Sequence, residues 1–136
     1  MEKRSGLVWV GVLGVGLVMS LTVEAAEVRA RCDYQAGRRE RSKISVDVKN
    51  LPLSGAYTAA VSGANGATAG ATDTVTLPND EAEFDFDSNA ANVAQGAIRL
   101  PTSFAAGGSI NVQLSGPDAS LPRPFSVPCP GEVRIP

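Results

Sequence analysis

The chain contains no histidine, only two cysteines and a single tryptophan, and its aromatic content is 5%. Each scarcity excludes something. Without histidine there is no imidazole to ligate zinc or copper, and none to serve as the usual base beside a serine or cysteine nucleophile. The cysteines, Cys32 and Cys129, lie near the two ends of the part of the chain that follows residue 25, and form no Cys-x-x-Cys pair. GANGATAG (residues 63–70) lacks the Gly-Lys-Ser/Thr ending of a phosphate loop and reads as a hairpin loop. Spare aromatics for stacking sugars or bases are missing as well. Trp9 belongs to the N-terminal segment, and Tyr34, Tyr57, Phe84, Phe86, Phe104 and Phe125 fall on or near apolar phases of the chain. A dominant charge is absent too: 12 Lys/Arg against 14 Asp/Glu leave −2, so nucleic acid is not an expected partner.

What is present begins with MEKRSG, a basic start, followed by the uncharged run Leu7–Val23 and the exit Val23-Glu24-Ala25. This order predicts a secretory signal peptide cleaved after Ala25, and with it a secreted or periplasmic location. A retained membrane anchor is the alternative. The run has about 17 residues, at the short limit for a bilayer span, and the four glycines between Gly6 and Gly16 weaken it as a helix. Membrane contact is therefore expected only through this segment, if it is not cleaved. Residues 26–136 remain, enough for one domain with one core. Removing residues 1–25 takes away Lys3, Arg4, Glu2 and Glu24, so the formal charge stays at −2. In an oxidising compartment Cys32 and Cys129 are expected to form one disulfide. It would close a loop of about 97 residues and constrain the unfolded chain by at most about 4–5 kcal/mol.

The period along the mature chain is two. Val28, Ala30, Cys32 and Tyr34 alternate with Arg29, Arg31 and Asp33; Ile44, Val46 and Val48 alternate with Lys43, Ser45, Asp47 and Lys49. The same pattern recurs at Tyr57, Ala59 and Val61, at Val75 and Leu77, and at Ala82, Phe84 and Phe86. It continues through Ile110, Val112 and Leu114, and through Phe125, Val127 and Cys129. Strict alternation marks half-buried strands. Turn residues separate the runs at Ala36-Gly37, residues 51–55, Asn65-Gly66, Pro78-Asn79-Asp80, Gly107-Gly108 and Gly116-Pro117-Asp118. Seven or eight short strands at this spacing predict an all-β, antiparallel, immunoglobulin-like sandwich, with both cysteines inward on the first and last strands. Ile98 and Phe104 are expected to add to the core. Ser88 to Gln95 is compatible with one helical turn or with a loop.

The acidic stretch EFDFDSNAANVAQG (residues 83–96) sets Asp85, Asp87 and Asn89 at every second position, as calcium loops do. The sixth and twelfth positions of such a loop should be Gly and Glu, but here they are Ala90 and Gly96. Phe84 and Phe86 interleave with the acids, as a strand with one buried face requires. If residues 42–50 lie beside residues 82–87, then Arg41, Lys43 and Lys49 share a wet face with Glu83, Asp85 and Asp87, and opposite charges help set the register. Glu83, Asp85 and Asp87 on one strand are also the wrong arrangement for a pair of glycosidase carboxylates across a cleft. No nucleophile stands beside a base, and no enzyme activity is expected.

RSKISVDVKNLPLSGAYTAAVSG (residues 41–63), with EAEFDFDSN (residues 81–89) after it, resembles small exported bacterial domains of immunoglobulin-like or prealbumin-like form. In these a strand leads through a Leu-Pro-x-x-Gly-x-Tyr turn into the next, matched here by Leu51, Pro52, Gly55 and Tyr57. The likeness covers about residues 30–115 and implies a fold; no catalytic or binding residue carries over from it. The expectation is an exported, non-catalytic β-sandwich that acts as a binding, adhesion or surface-structure module for a protein or surface polymer. Arg38, Arg39 and Arg41 in the first hairpin loop would be its contacts with an anionic group. The alternative is a calcium-dependent module using Asp85, Asp87 and Asn89. No other cofactor is expected.

Overall fold

The structure, a computed structural model, describes residues 26–136; the expected signal segment, residues 1–25, lies outside them. Nine strands form two sheets. They are β1 (Glu27–Gln35), β2 (Arg41–Lys49), β3 (Gly55–Ser62), β4 (Thr68–Val75), β5 (Ala82–Asp87), β6 (Ile98–Arg99), β7 (Ser109–Ser115), β8 (Phe125–Pro128) and β9 (Gly131–Ile135). One short helix, α1 (Ala90–Ala94), settles the stretch left open between Ser88 and Gln95. The first sheet runs β6-β5-β2-β1-β9 and the second β4-β3-β7-β8. All pairings are antiparallel except the two-residue contact of β5 with β6.

The alternation read from the sequence is the burial pattern of the sheets. Val28, Ala30 and Cys32 of β1, Ile44, Val46 and Val48 of β2, and Phe84 and Phe86 of β5 point into the sandwich. Tyr57, Ala59 and Val61 of β3 meet them from the second sheet, with Ile110 and Val112 of β7 and Val127 of β8. Side chains on a pleated strand must alternate between faces, so this pattern leaves the first sheet with one apolar and one charged face. β2 does lie beside β5, in the register Ser45↔Asp85 and Val46↔Phe84.

Several expectations need correction. The described residues make nine strands because two were not foreseen: β6, only two residues long, and β9, which follows the Pro-Gly corner after Cys129. Cys129 therefore sits in that corner, not on the last strand, and its N–H donates to the Gly108 carbonyl at 2.9 Å. The disulfide itself is present, with Cys32 and Cys129 Cα atoms 5.0 Å apart, and it ties β1 to the crossover between the sheets. Residues 63–70 are not all loop: a single 3₁₀ turn (Ala64–Gly66) carries the reversal, and Thr68 to Gly70 already belong to β4. Leu77, expected inward, is 40% exposed because β4 ends at Val75. Ile98, expected in the core, is 37% exposed on the edge strand β6, and Leu100 is buried in its place; Phe104 is buried as expected.

The sandwich has two distinct ends. The upper end holds the β1–β2 turn, the segment from Ser88 to Gly108 and the Cys129 corner. The lower end holds the start of β1, the β2–β3 and β4–β5 turns and the loop after β7.

Candidate functional site

The upper end concentrates the polar chemistry, and it starts from one carboxylate. Asp87 closes β5 and was expected on the wet face, yet its side chain is only 1% exposed. The reason is local: beyond Asp87 the chain turns at Ser88 into α1, which lies over the end of the strand. The Asp87 oxygens are fully used. Arg41 Nε donates to Oδ1 at 3.0 Å and Arg41 Nη2 to Oδ2 at 2.6 Å, the two-pronged geometry in which guanidinium and carboxylate bind best. The Asn89 N–H donates to Oδ1 at 2.8 Å and Asn92 Nδ2 to Oδ2 at 2.7 Å. Burial alone would push the Asp87 carboxyl up. The hydrogen bonds from Arg41, Asn92 and the Asn89 backbone outweigh it and hold the group at about 2. A carboxyl held ionised in this way neither accepts nor releases a proton near neutral pH, so it is unsuited to acid–base work.

Arg41 is correspondingly not a loop residue. It is the first residue of β2, and its guanidinium is committed to Asp87. Asn89 is equally occupied: its Oδ1 accepts from the Ala91 and Asn92 N–H groups at 3.0 and 3.3 Å, capping the start of α1. Of the three oxygen donors proposed for calcium, Asp87 and Asn89 are thus brought together, but their oxygens face N–H donors. Asp85 stands exposed two residues earlier on β5. Among the described residues no group of three or more acids and cysteines is arranged to hold a metal ion.

A second knot escaped the sequence reading. Ser42 takes an inward position on β2 and is fully buried. Its Oγ donates to the Thr102 carbonyl at 2.8 Å and accepts the Ala105 N–H at 2.9 Å, while its N–H donates to Ser88 Oγ at 3.0 Å. A lone serine in apolar phase carries no pattern, so only the packed loop reveals its use. Glu40 completes the end. Its Oε2 accepts from Tyr34 Oη at 2.5 Å and its Oε1 from Thr102 Oγ1 at 2.9 Å; these bonds, Tyr34 foremost, lower the Glu40 carboxyl below its ordinary range. The Glu40 N–H also donates to the Gly37 carbonyl at 3.1 Å, closing the turn that displays Arg38 and Arg39 to solvent. A groove of about 560 Å³ opens beside this turn, lined by Gln35, Arg39, Glu40, Arg41, Ser88 and Asn89.

The outer face of the first sheet is charged in rows. Arg29 opposes Asp47, and Asp47 opposes Glu83; Lys43 opposes Asp87. Opposite charges thus face each other at Arg29↔Asp47, two acids face each other at Asp47↔Glu83, and the Asp87 carboxylate opposite Lys43 is committed to Arg41. Glu83 is raised chiefly by the charge of Asp47, and Asp47 by its partial burial and then by Asp85. At the far edge Glu132 accepts from Arg134 Nε at 2.7 Å and from Arg29 Nε at 3.2 Å.

Comparison with protein-family models, with curated proteins and with solved structures finds no match for this chain.

Proposed function

We propose that this chain is an exported, non-catalytic β-sandwich of immunoglobulin-like kind that binds an anionic group on a protein or surface polymer through its upper hairpin. One observation carries the reading: the turn presenting Arg38 and Arg39 is fixed from behind by Glu40, while the neighbouring Arg41 is retained by Asp87. A flexible loop would lose conformational freedom on binding; a turn already anchored through Tyr34, Thr102 and Gly37 loses less. The groove beside Arg39 gives the partner a place to lie. The basic start, apolar run and small-residue exit of residues 1–25 supply the export part of the reading. The disulfide is compatible with an oxidising compartment.

Both parts are open to test. Fractionation of cells expressing the full chain, followed by mass spectrometry, should find a product beginning at Ala26 with Cys32 and Cys129 joined. A full-length, reduced chain in the cytoplasm would remove the export reading. On an anionic polymer column of dextran sulfate, Arg38→Ala with Arg39→Ala should elute at markedly lower salt than the parent. An unchanged elution position would remove the hairpin as the contact.

A further inference from the structure

The lower end of the sandwich displays Leu53 and Leu77, 46% and 40% exposed, the most exposed large hydrophobic side chains among the described residues. Both lie just beyond the last β3–β4 pair, Gly55↔Val75, in turns that a hydrogen bond between Leu77 and Ser54 joins. Both are held rigidly. Tyr57 Oη donates to the Leu53 carbonyl at 2.7 Å, and the Leu77 N–H donates to Ser54 Oγ at 3.0 Å. Pro52 and Pro78 flank them, and both prolines are exposed. A fixed pair of aliphatic side chains at a domain tip is the kind of surface that seeks an apolar neighbour.

A second, independent observation says what that neighbour is. The chain enters the fold at this same end: β1 begins at Glu27, opposite Lys49, and Ala26 is packed into the core. Only Glu24 and Ala25 stand between buried Ala26 and the uncharged run Leu7–Val23. From Val23 to Ala26 are three steps of chain, which span at most about 11 Å. Whatever apolar medium receives that run must therefore lie close against the lower end. Charge at this end is mixed: Glu27, Arg29, Asp47, Lys49 and Arg134 line one shallow pocket where β1 begins, and Asp80 and Glu81 sit in the β4–β5 turn, so no basic surface is presented and a zwitterionic surface is favoured over an anionic one.

We propose that the lower end is a bilayer-facing surface: while Leu7–Val23 remains attached, Leu53 and Leu77 rest in the interfacial layer of the membrane that holds it. Apolar side chains presented from rigid turns are well suited to that layer. The proposal concerns the chain that still carries its leader. It is unaffected by later cleavage after Ala25, and the hairpin reading of the upper end can fail without touching it.

The test uses the full chain in phosphatidylcholine vesicles doped with headgroup spin-labelled lipid, with amide signals read by NMR. Broadening at Leu53, Ser54 and Leu77 should exceed that at Arg38 and Arg39 several-fold, without dependence on added salt. Equal broadening at both ends would overturn the proposal. Leu53→Asp with Leu77→Asp should reduce the broadening at Ser54 and leave Arg38 unchanged; the single variant Leu53→Ser should give a smaller reduction in the same sense. No reduction in either would overturn it. Raising the protein-to-lipid ratio separates a second copy from lipid. Broadening that holds steady supports the bilayer, whereas loss of broadening at the tip as copies crowd would mean that another chain covers it.

Discussion

At the upper end of the sandwich the turns are tied down by charged and hydroxyl groups that reach across distant parts of the chain; at the lower end two neutral hydrogen bonds, to the Leu53 carbonyl and to Ser54 Oγ, act together with close packing. Above, Asp87, Ser42 and Glu40 are each saturated by hydrogen bonds from chain segments far apart in sequence. Below, a Cβ on Gly55 would lie 3.0 Å from Pro117 Cγ, and one on Gly116 would collide with the Tyr57 ring, so backbone runs directly against side chain. Gly55 also has a φ of 144°, where other residues are strained. The difference teaches what each end can spare. Charge-assisted bonds hold the upper loops while leaving arginines on display, and neutral hydrogen bonds with packing hold the lower turns while leaving leucines on display.

The comparison can be broken from either side. The largest effect should come from Cys32→Ser with Cys129→Ser, which unties the upper crossover from β1. Stability in urea should fall by as much as about 4–5 kcal/mol, and an unchanged midpoint would show that the bridge constrains nothing. Next is Asp87→Ala, which strands Arg41, Asn92 and the Asn89 N–H. A loss of about 3 kcal/mol is expected, against almost none if the upper end were held by packing alone. Acid tests the same pair. The folded Asp87 sits below its ordinary value, so its contribution is complete above about pH 4 and is lost as the pH falls toward about 2.

At the lower end Tyr57→Phe removes one hydrogen bond to the Leu53 carbonyl and keeps the ring. It should cost about 1 kcal/mol and speed amide exchange at residues 53–55 without affecting residues 36–40. The smallest effect has the opposite sign. Glu83→Lys replaces the like-charge pair with Asp47 by an opposite one and should stabilise by a few tenths of a kcal/mol, within the range of exposed cross-strand pairs. A thermal melt at low salt would register it, and destabilisation would mean that the register does not bring these side chains together.

The sheets were legible in the sequence because alternation is a property of each strand alone, and Ile44, Val46, Val48, Phe84 and Phe86 needed no outside information to be assigned inward. The Leu-Pro-x-x-Gly-x-Tyr turn was visible too, and the structure supplies its reason: Tyr57 pins the carbonyl of Leu53. Strand ends were not legible. Leu77 and Asp87 each follow the period to its last step, but what they meet depends on the next element, solvent for one and α1 for the other. β9 escaped notice because only Val133 and Ile135 alternate in it, too short a run to show a period, and it follows a corner at Cys129-Pro130 where the chain passes from one sheet to the other. Thr68 to Gly70 lacked the apolar contrast by which a strand is recognised. For the upper site, Arg38 and Arg39 were visible as a charge cluster, whereas the use of Ser42, Glu40 and Asn92 rests on contacts across more distant parts of the chain.

The central claim is that the β5 acids serve the sheet, with Asp87 closed off by donors. The direct test is a carbon-detected NMR titration of the Asp87 carboxyl, with and without millimolar calcium. The account predicts a midpoint of about 2 that calcium leaves in place. A midpoint in the ordinary carboxylate range near 4, or a carboxyl signal that moves when calcium is added, would contradict it.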